Sequence, residues 1–181
     1  MKEQRLFIFV EGNDDERFFS RIIRPLFTEE YASVEIIMYA CMKSEKVCRF
    51  VRSIIEMGHD FILCADIDQE RNVRAKKIVL NDRYCLLEND HIVIIIKEIE
   101  SWYLAGLDDR AQNRLGIRQF RSTNHITKEI FNGMIPRHYT SRIAFMGDII
   151  ALFSLPVARE NNRSFSYFSQ KFHLLPGEGH K

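Results

Sequence analysis

Residues 5–16 read Arg5-Leu6-Phe7-Ile8-Phe9-Val10-Glu11-Gly12-Asn13-Asp14-Asp15-Glu16, an unbroken apolar, β-rich run that ends on an acid and a glycine. A strand covered on both faces shows no polar alternation, so Arg5–Val10 is expected to be a buried parallel strand. Asn13 with Glu16 three residues on resembles a helix N-cap and capping box. Phe18, Phe19, Ile22 and Ile23 give that helix an apolar face at 3.6 spacing, and Pro25 is expected to end it. The alternation then repeats. A strand is expected over 34–40, and a helix capped by Ser44 through Met57, with Val47, Phe50, Val51, Ile54 and Ile55 inward and Gly58 as its stop. A strand over 61–65, a helix over 70–80 and a strand over 91–96 follow. Strands alternating with helices predict an α/β fold with a parallel sheet of about four strands and flanking helices. Beyond Glu98 only helices are expected, over 98–107, 109–115, 127–134, 140–153 and 164–174, with breaks at Gly116, Gly133, Pro136 and Pro156. The organisation expected is therefore an α/β core over 1–107 and a helical C-terminal extension over 108–181, packed on that core.

The chain has 181 residues, 46% hydrophobic and 28% charged, which is ordinary for a soluble globular protein with a sizeable core. No apolar run approaches the roughly 20 residues of a membrane span. Residues 1–5 lead into a strand without the apolar region of a signal peptide, so the expectation is a cytoplasmic protein with no membrane association. The four cysteines (Cys41, Cys48, Cys64, Cys85) show no zinc-type spacing and read as small core residues. Net charge is only +1, but unevenly spread: residues 1–100 carry 15 Lys+Arg against 19 Asp+Glu, and residues 101–181 carry 11 against 6. An acidic front and a basic back suit a metal-dependent enzyme acting on a polyanion.

In a parallel α/β sheet, ligands gather beyond the carboxyl ends of the strands. Three expected strand ends carry acids: Glu11 to Glu16 after the first, Asp66-Ile67-Asp68-Gln69-Glu70 after the third, and Lys97-Glu98-Ile99-Glu100 after the fourth. Side chains two apart on an extended chain face the same way, so Asp66 and Asp68 are expected to converge while Ile67 turns inward. Packed carboxylates repel one another unless a cation intervenes, and hard oxygen ligands select Mg²⁺ or Mn²⁺ over zinc. Each cluster alone has a plainer explanation. Glu11-Gly12 is a common strand-to-helix turn, Asp14 and Glu16 complement a helix dipole, and Glu98 and Glu100 open a helix whose Ile99, Trp102 and Tyr103 pack inward. Their joint occurrence on one rim favours a metal site.

The strand with Glu11-Gly12, a helix, and a later strand ending in Asp66-x-Asp68-x-Glu70 resemble the Toprim domain of topoisomerases, primases and OLD-type nucleases, over about residues 5–100. Glu11-Gly12 with Asp15 looks like the first motif of OLD-like nucleases. Lys97-Glu98-Ile99-Glu100-Ser101-Trp102 resembles an H-E-F-E-type block of small stand-alone Toprim-like proteins, with Lys97 in place of the usual histidine. Asn162-Arg163-Ser164-Phe165 through Phe168 is similar to the tail of those small proteins. The resemblance implies a Mg²⁺- or Mn²⁺-dependent nuclease using one or two ions. Glu11 would be a metal ligand or general acid/base, Asp66 and Asp68 would hold the ion, Asp15 would complete the site with Glu70 in the same motif, and Glu98 or Glu100 would serve a second ion. Lys97 would either neutralise charge in the transition state or be a surface or ion-pair residue. No tyrosine stands where a topoisomerase nucleophile would, so hydrolysis is the expectation.

Arg110, Arg114, Arg118 and Arg121 would form one basic stripe if their helix ran through Gly116; Arg137, Arg142 and Arg163 add charge further on. These are the candidate contacts to DNA or structured RNA, against an ordinary solvated surface. Phe165, Tyr167, Phe168 and Phe172 read as core rather than as a base-stacking platform. A haloacid-dehalogenase-type phosphatase would carry its D-x-D after the first strand, not the third. A phosphoacceptor receiver domain would need Ser or Thr after the fourth strand, where Lys97-Glu98 stands. A Toprim-like binding module without activity remains a rival. No G-x-x-x-x-G-K-[ST] occurs, so an ATPase partner, by analogy with OLD-type nucleases, would be a separate protein.

Overall fold

The structure, a computed structural model, describes residues 3–84 and 89–174. Cys85, read from the sequence as a small core residue, lies outside the described residues. The chain divides into two compact units, Met1–Ile95 and Ile96–Lys181. The division falls before the boundary expected after residue 107, because the helix Glu100–Ala105 packs with helices that follow it.

The first unit is α/β with an all-parallel sheet. Its strands are β1 (Arg5–Val10), β2 (Ser33–Met38), β3 (Asp60–Asp66) and β4 (Ile92–Ile95), in spatial order β2-β1-β3-β4. Its helices are α1 (Asn13–Phe18), α2 (Arg24–Phe27), α3 (Ser44–Glu56) and α4 (Val73–Tyr84). Side chains alternate across the sheet, and each face is apolar. Phe7, Phe9, Phe61, Leu63, Ala65, Ile92 and Ile94 share one core with Val47, Val51 and Ile54 of α3 and Leu80 and Tyr84 of α4. Leu6, Ile8, Val10, Ile62 and Cys64, of opposite parity, are also buried. Helices α1 and α2 pack beside β2, so the chain winds to opposite sides of the sheet before and after β2. Right-handed crossovers in this strand order require that arrangement.

Local punctuation differs from expectation in three places. The cap of α1 is Gly12, not Asn13, and Asp15 rather than Glu16 takes the Gly12 amide proton. The helix cap before α3 is Lys43 in extended conformation, which leaves Ser44 in the first turn. Pro25 does not end its helix. A π-turn over Phe19–Ile23 widens the ladder, and α2 restarts with Pro25 in its first turn, where the missing N–H costs nothing. Gly58, at φ +70, stops the α3 segment as expected. Cys64 is buried and Cys48 half-buried, but Cys41 is exposed and is not a core residue.

The second unit is helical: α5 (Glu100–Ala105), α6 (Asp109–Leu115), α7 (Lys128–Met134), α8 (Arg142–Ala151), α9 (Leu155–Asn161) and α10 (Arg163–Lys171). Helix α9 stands where Pro156 was read as a break; the proline occupies its first turn. Gly116, at φ +72, ends α6. Phe165 and Phe168 are core, as expected, whereas Tyr167 is half exposed. Among the described residues no helix is long and apolar enough to cross a membrane.

Candidate active site at the carboxyl ends of the central strands

Strand order β2-β1-β3-β4 makes the space between β1 and β3 the topological switch point, since the chain leaves β1 toward one edge and β3 toward the other. Crevices at such points are where open α/β sheets bind ligands. Glu11 follows β1 and Asp66 ends β3, so these two expected residues stand at the carboxyl ends of the two strands that flank the switch point.

Glu11 is half-buried. Tyr39, itself buried, donates its hydroxyl proton to Glu11 Oε1 at 3.2 Å, and the Asp66 backbone also hydrogen-bonds the carboxylate. Burial raises the Glu11 carboxyl above its ordinary range and the Asp68 charge adds to this; Lys76, Tyr39 and the Asp66 backbone pull the other way without cancelling it. Burial and the Glu11 charge likewise push the Tyr39 hydroxyl upward, which keeps it a proton donor. Burial pushes the Cys64 thiol up, and the charges of Asp15, Asp66 and Glu11 add to this.

The remaining first-unit residues are placed differently from one another. Asp15 is buried and accepts the Gly12 amide at 3.3 Å, fastening the turn from β1 into α1. Asp68 adopts φ +51, a left-handed turn, so the two-residue alternation that was expected to align it with Asp66 stops at the strand end. Its carboxylate instead forms an ion pair with Lys76. Ile67 packs against the core, as expected. Glu70 lines a surface cleft with Arg71, Arg74, Ile78 and Val79 of the α4 segment. Among the described residues, no three His, Cys, Asp or Glu side chains are gathered as a metal-holding group.

Lys76 and Tyr39 were not anticipated. Lys76 is only 6% exposed and falls on the buried stripe Lys76, Leu80, Tyr84 of α4. The signal was there in the sequence: a lysine at the position where an amphipathic helix continues its apolar stripe. A buried ammonium needs a partner, and Asp68 supplies it.

The second unit holds the other candidates. Lys97 is exposed at φ +68, a conformation that costs an L-residue roughly 1–2 kcal/mol. Glu98 accepts the Lys128 backbone N–H at the start of α7, satisfying one of that helix's open donors. Glu100 is buried and ion-paired with Arg142, whose guanidinium also lies 5.2 Å from the Phe131 ring centre and donates to Asn132 Oδ1 at 2.8 Å. Arg110 and Arg121 line a cleft of about 400 Å³ together with Asp108, Asp109 and Glu160, so acids offset the bases there. Arg114, Arg118, Arg137 and Arg163 are exposed. Because α6 ends at Leu115, the four arginines from 110 to 121 do not form one helical stripe.

The two blocks 97–102 and 162–165 meet in a buried polar network. Trp102 Nε1 donates to Ser164 Oγ at 2.8 Å, Ser164 donates to Asn162 Oδ1 at 2.8 Å, and Asn162 Nδ2 donates to Ser101 Oγ at 3.3 Å and Thr123 Oγ1 at 3.0 Å. Asn162 Oδ1 also caps α10 by accepting the Phe165 N–H at 3.0 Å. Asn162→Ala should therefore cost about 2–4 kcal/mol, because it strips partners from several buried groups at once. Urea unfolding would measure it; a loss under about 0.5 kcal/mol, typical of a surface change, would contradict the network's structural role.

Comparison of the chain with protein-family models, with curated proteins and with solved structures finds no match. The functional reading therefore rests on the residues and their geometry.

Proposed function

We propose that the chain is a Toprim-like, Mg²⁺- or Mn²⁺-dependent nuclease that hydrolyses phosphodiester bonds in DNA or structured RNA, with Glu11, Asp66 and Asp68 at its centre. The observation that carries this reading is the placement of Glu11 and Asp66 at the ends of the two strands that flank the switch point, with Asp15 in the first turn of the helix that follows Glu11. The donor set is all hard oxygen, which matches Mg²⁺ or Mn²⁺ in kind. Glu11, Asp66 and Asp68 would hold the ion, Asp15 from the α1 side; when bound it would activate water and stabilise the leaving oxygen. The protein's own part is to hold these groups and move a proton. Glu11 is half-buried against Tyr39, whereas Asp68 is exposed and ion-paired with Lys76. Glu11 keeps its proton to higher pH than an ordinary glutamate and suits general acid/base work. The exposed Arg114, Arg118, Arg137 and Arg163 would hold phosphates in a salt-dependent way, in a cytoplasmic setting.

A second reading, a non-catalytic nucleic-acid- or partner-binding module of the same fold, is favoured by the Lys76–Asp68 ion pair and by the absence of a three-ligand group among the described residues. Incubation with plasmid, single-stranded DNA and transfer RNA, each with Mg²⁺, Mn²⁺ or EDTA, separates the two. The nuclease reading expects cleavage of at least one substrate that stops in EDTA. No cleavage under any condition would favour the module, and cleavage that persists in EDTA would sink the metal-dependent mechanism.

A further inference from the structure

Lys76 is the feature of the first unit that neither the acidic motifs nor the proposed chemistry uses. It projects from α4, with the side chain 8% exposed, into the region where Asp68 and Glu11 lie, and its ammonium sits on the Asp68 carboxylate. Its partner Asp68 reaches it through a left-handed turn that an aspartate tolerates better than most residues. A buried, ion-paired lysine two turns before Tyr84 on the core stripe is held by packing along its stem, so it is a fixed charge rather than a wandering surface one.

We infer that Lys76 is the built-in counter-cation of the acidic centre, and that a divalent ion enters by displacing its ammonium from Asp68. The inference rests on the reading of Glu11, Asp66 and Asp68 as ion ligands. An ammonium and a divalent cation cannot both neutralise one carboxylate at contact distance without repelling each other, so the two compete. The pair thus keeps the acids compatible with folding before an ion arrives, and sets the ion affinity lower than the carboxylates alone would give. In the structure the Asp68 carboxylate is committed to the lysine.

The test uses Mn²⁺ alone as probe, titrated into the full chain and followed by the electron-spin signal of the free ion. Lys76→Met keeps the length and apolar stem and removes the charge; Lys76→Gln also keeps a donor toward Asp68 and serves if the first variant melts early in EDTA. Both should bind Mn²⁺ at least tenfold more tightly than wild type, and adding Asp66→Asn should weaken binding in every background. In wild type carrying ¹³Cε-labelled lysine, saturating Mg²⁺ should move the Lys76 resonance. If Asp66→Asn weakens binding but both Lys76 variants bind no better than wild type, the competition is wrong while the acidic site stands. A Lys76 resonance unmoved at saturation overturns it equally. Should Asp66→Asn leave Mn²⁺ binding unchanged throughout, the ligand assignment itself falls, and the inference falls with it.

Discussion

On the proposed nuclease reading, Glu11→Gln should abolish cleavage and yet raise thermal stability at neutral pH. The loss follows from its position: the amide keeps the shape and an acceptor for Tyr39, but it carries no charge and no transferable proton. Removing a general acid/base typically costs about 10²–10⁴ in rate, and loss of a metal ligand adds to that. The gain follows from burial, which holds the Glu11 carboxyl above its ordinary value of 4.5 despite Lys76. Such a group binds its proton more tightly folded than unfolded. Its contribution therefore favours folding most below the unfolded pKa, falls as pH rises from there through the folded pKa, and leaves an ionisation penalty at pH 7. Glutamine has no such penalty. The variant should melt higher than wild type at pH 7, by about 2–4 °C for each kcal/mol relieved, with the gap closing as pH falls through the raised folded pKa and gone once pH is below about 4.5. Cleavage and melting curves at several pH values check both halves. An undiminished rate would place the chemistry elsewhere, and a melting point lowered at pH 7 would mean that the ionised form stabilises the fold.

What could be read from the residues in order was what local patterns encode. The apolar runs at β1, β3 and β4 stand out because a strand covered on both faces has no polar alternation to blur it. The acids after β1 and β3 are legible for the same reason, as they interrupt otherwise continuous apolar text. Proline was harder. Pro25 and Pro156 both read as stops, although a first-turn proline is one of the ordinary ways to begin a helix. Lys76 was missed because a lysine in a helix reads as solvent-facing by default; only the buried stripe through Leu80 and Tyr84 shows that it points inward. Asp68 illustrates a different limit. Its alternation with Asp66 holds for an extended chain, and the left-handed turn immediately after β3 ends that geometry. Glu100 was least legible, since its partner lies 42 residues away and nothing local announces the pairing.

That pairing carries the largest stability effect expected. Glu100 is 3% exposed, and Arg142 reaches it from α8 while its guanidinium lies over Phe131, so the ion pair ties α5 to the α7–α8 segment. Arg142→Met keeps much of the apolar stem but removes the cation from a buried carboxylate. Breaking a buried pair in this way typically costs 3–5 kcal/mol, because the desolvated charge that remains loses its compensation. Replacing both partners is different. Glu100→Gln with Arg142→Met removes the charge along with its partner and should recover most of the loss, since buried pairs contribute little beyond a well-packed neutral pair. Urea melts of the two single variants and the double variant form a complete cycle. A coupling below about 0.5 kcal/mol would show that the pair is not structural and would return Glu100 to the pool of candidate ion ligands. A large coupling, with Mn²⁺ binding unchanged in Glu100→Gln, would instead assign this glutamate to the architecture of the helical unit and leave Glu11, Asp15, Asp66 and Asp68 as the acids available to an ion.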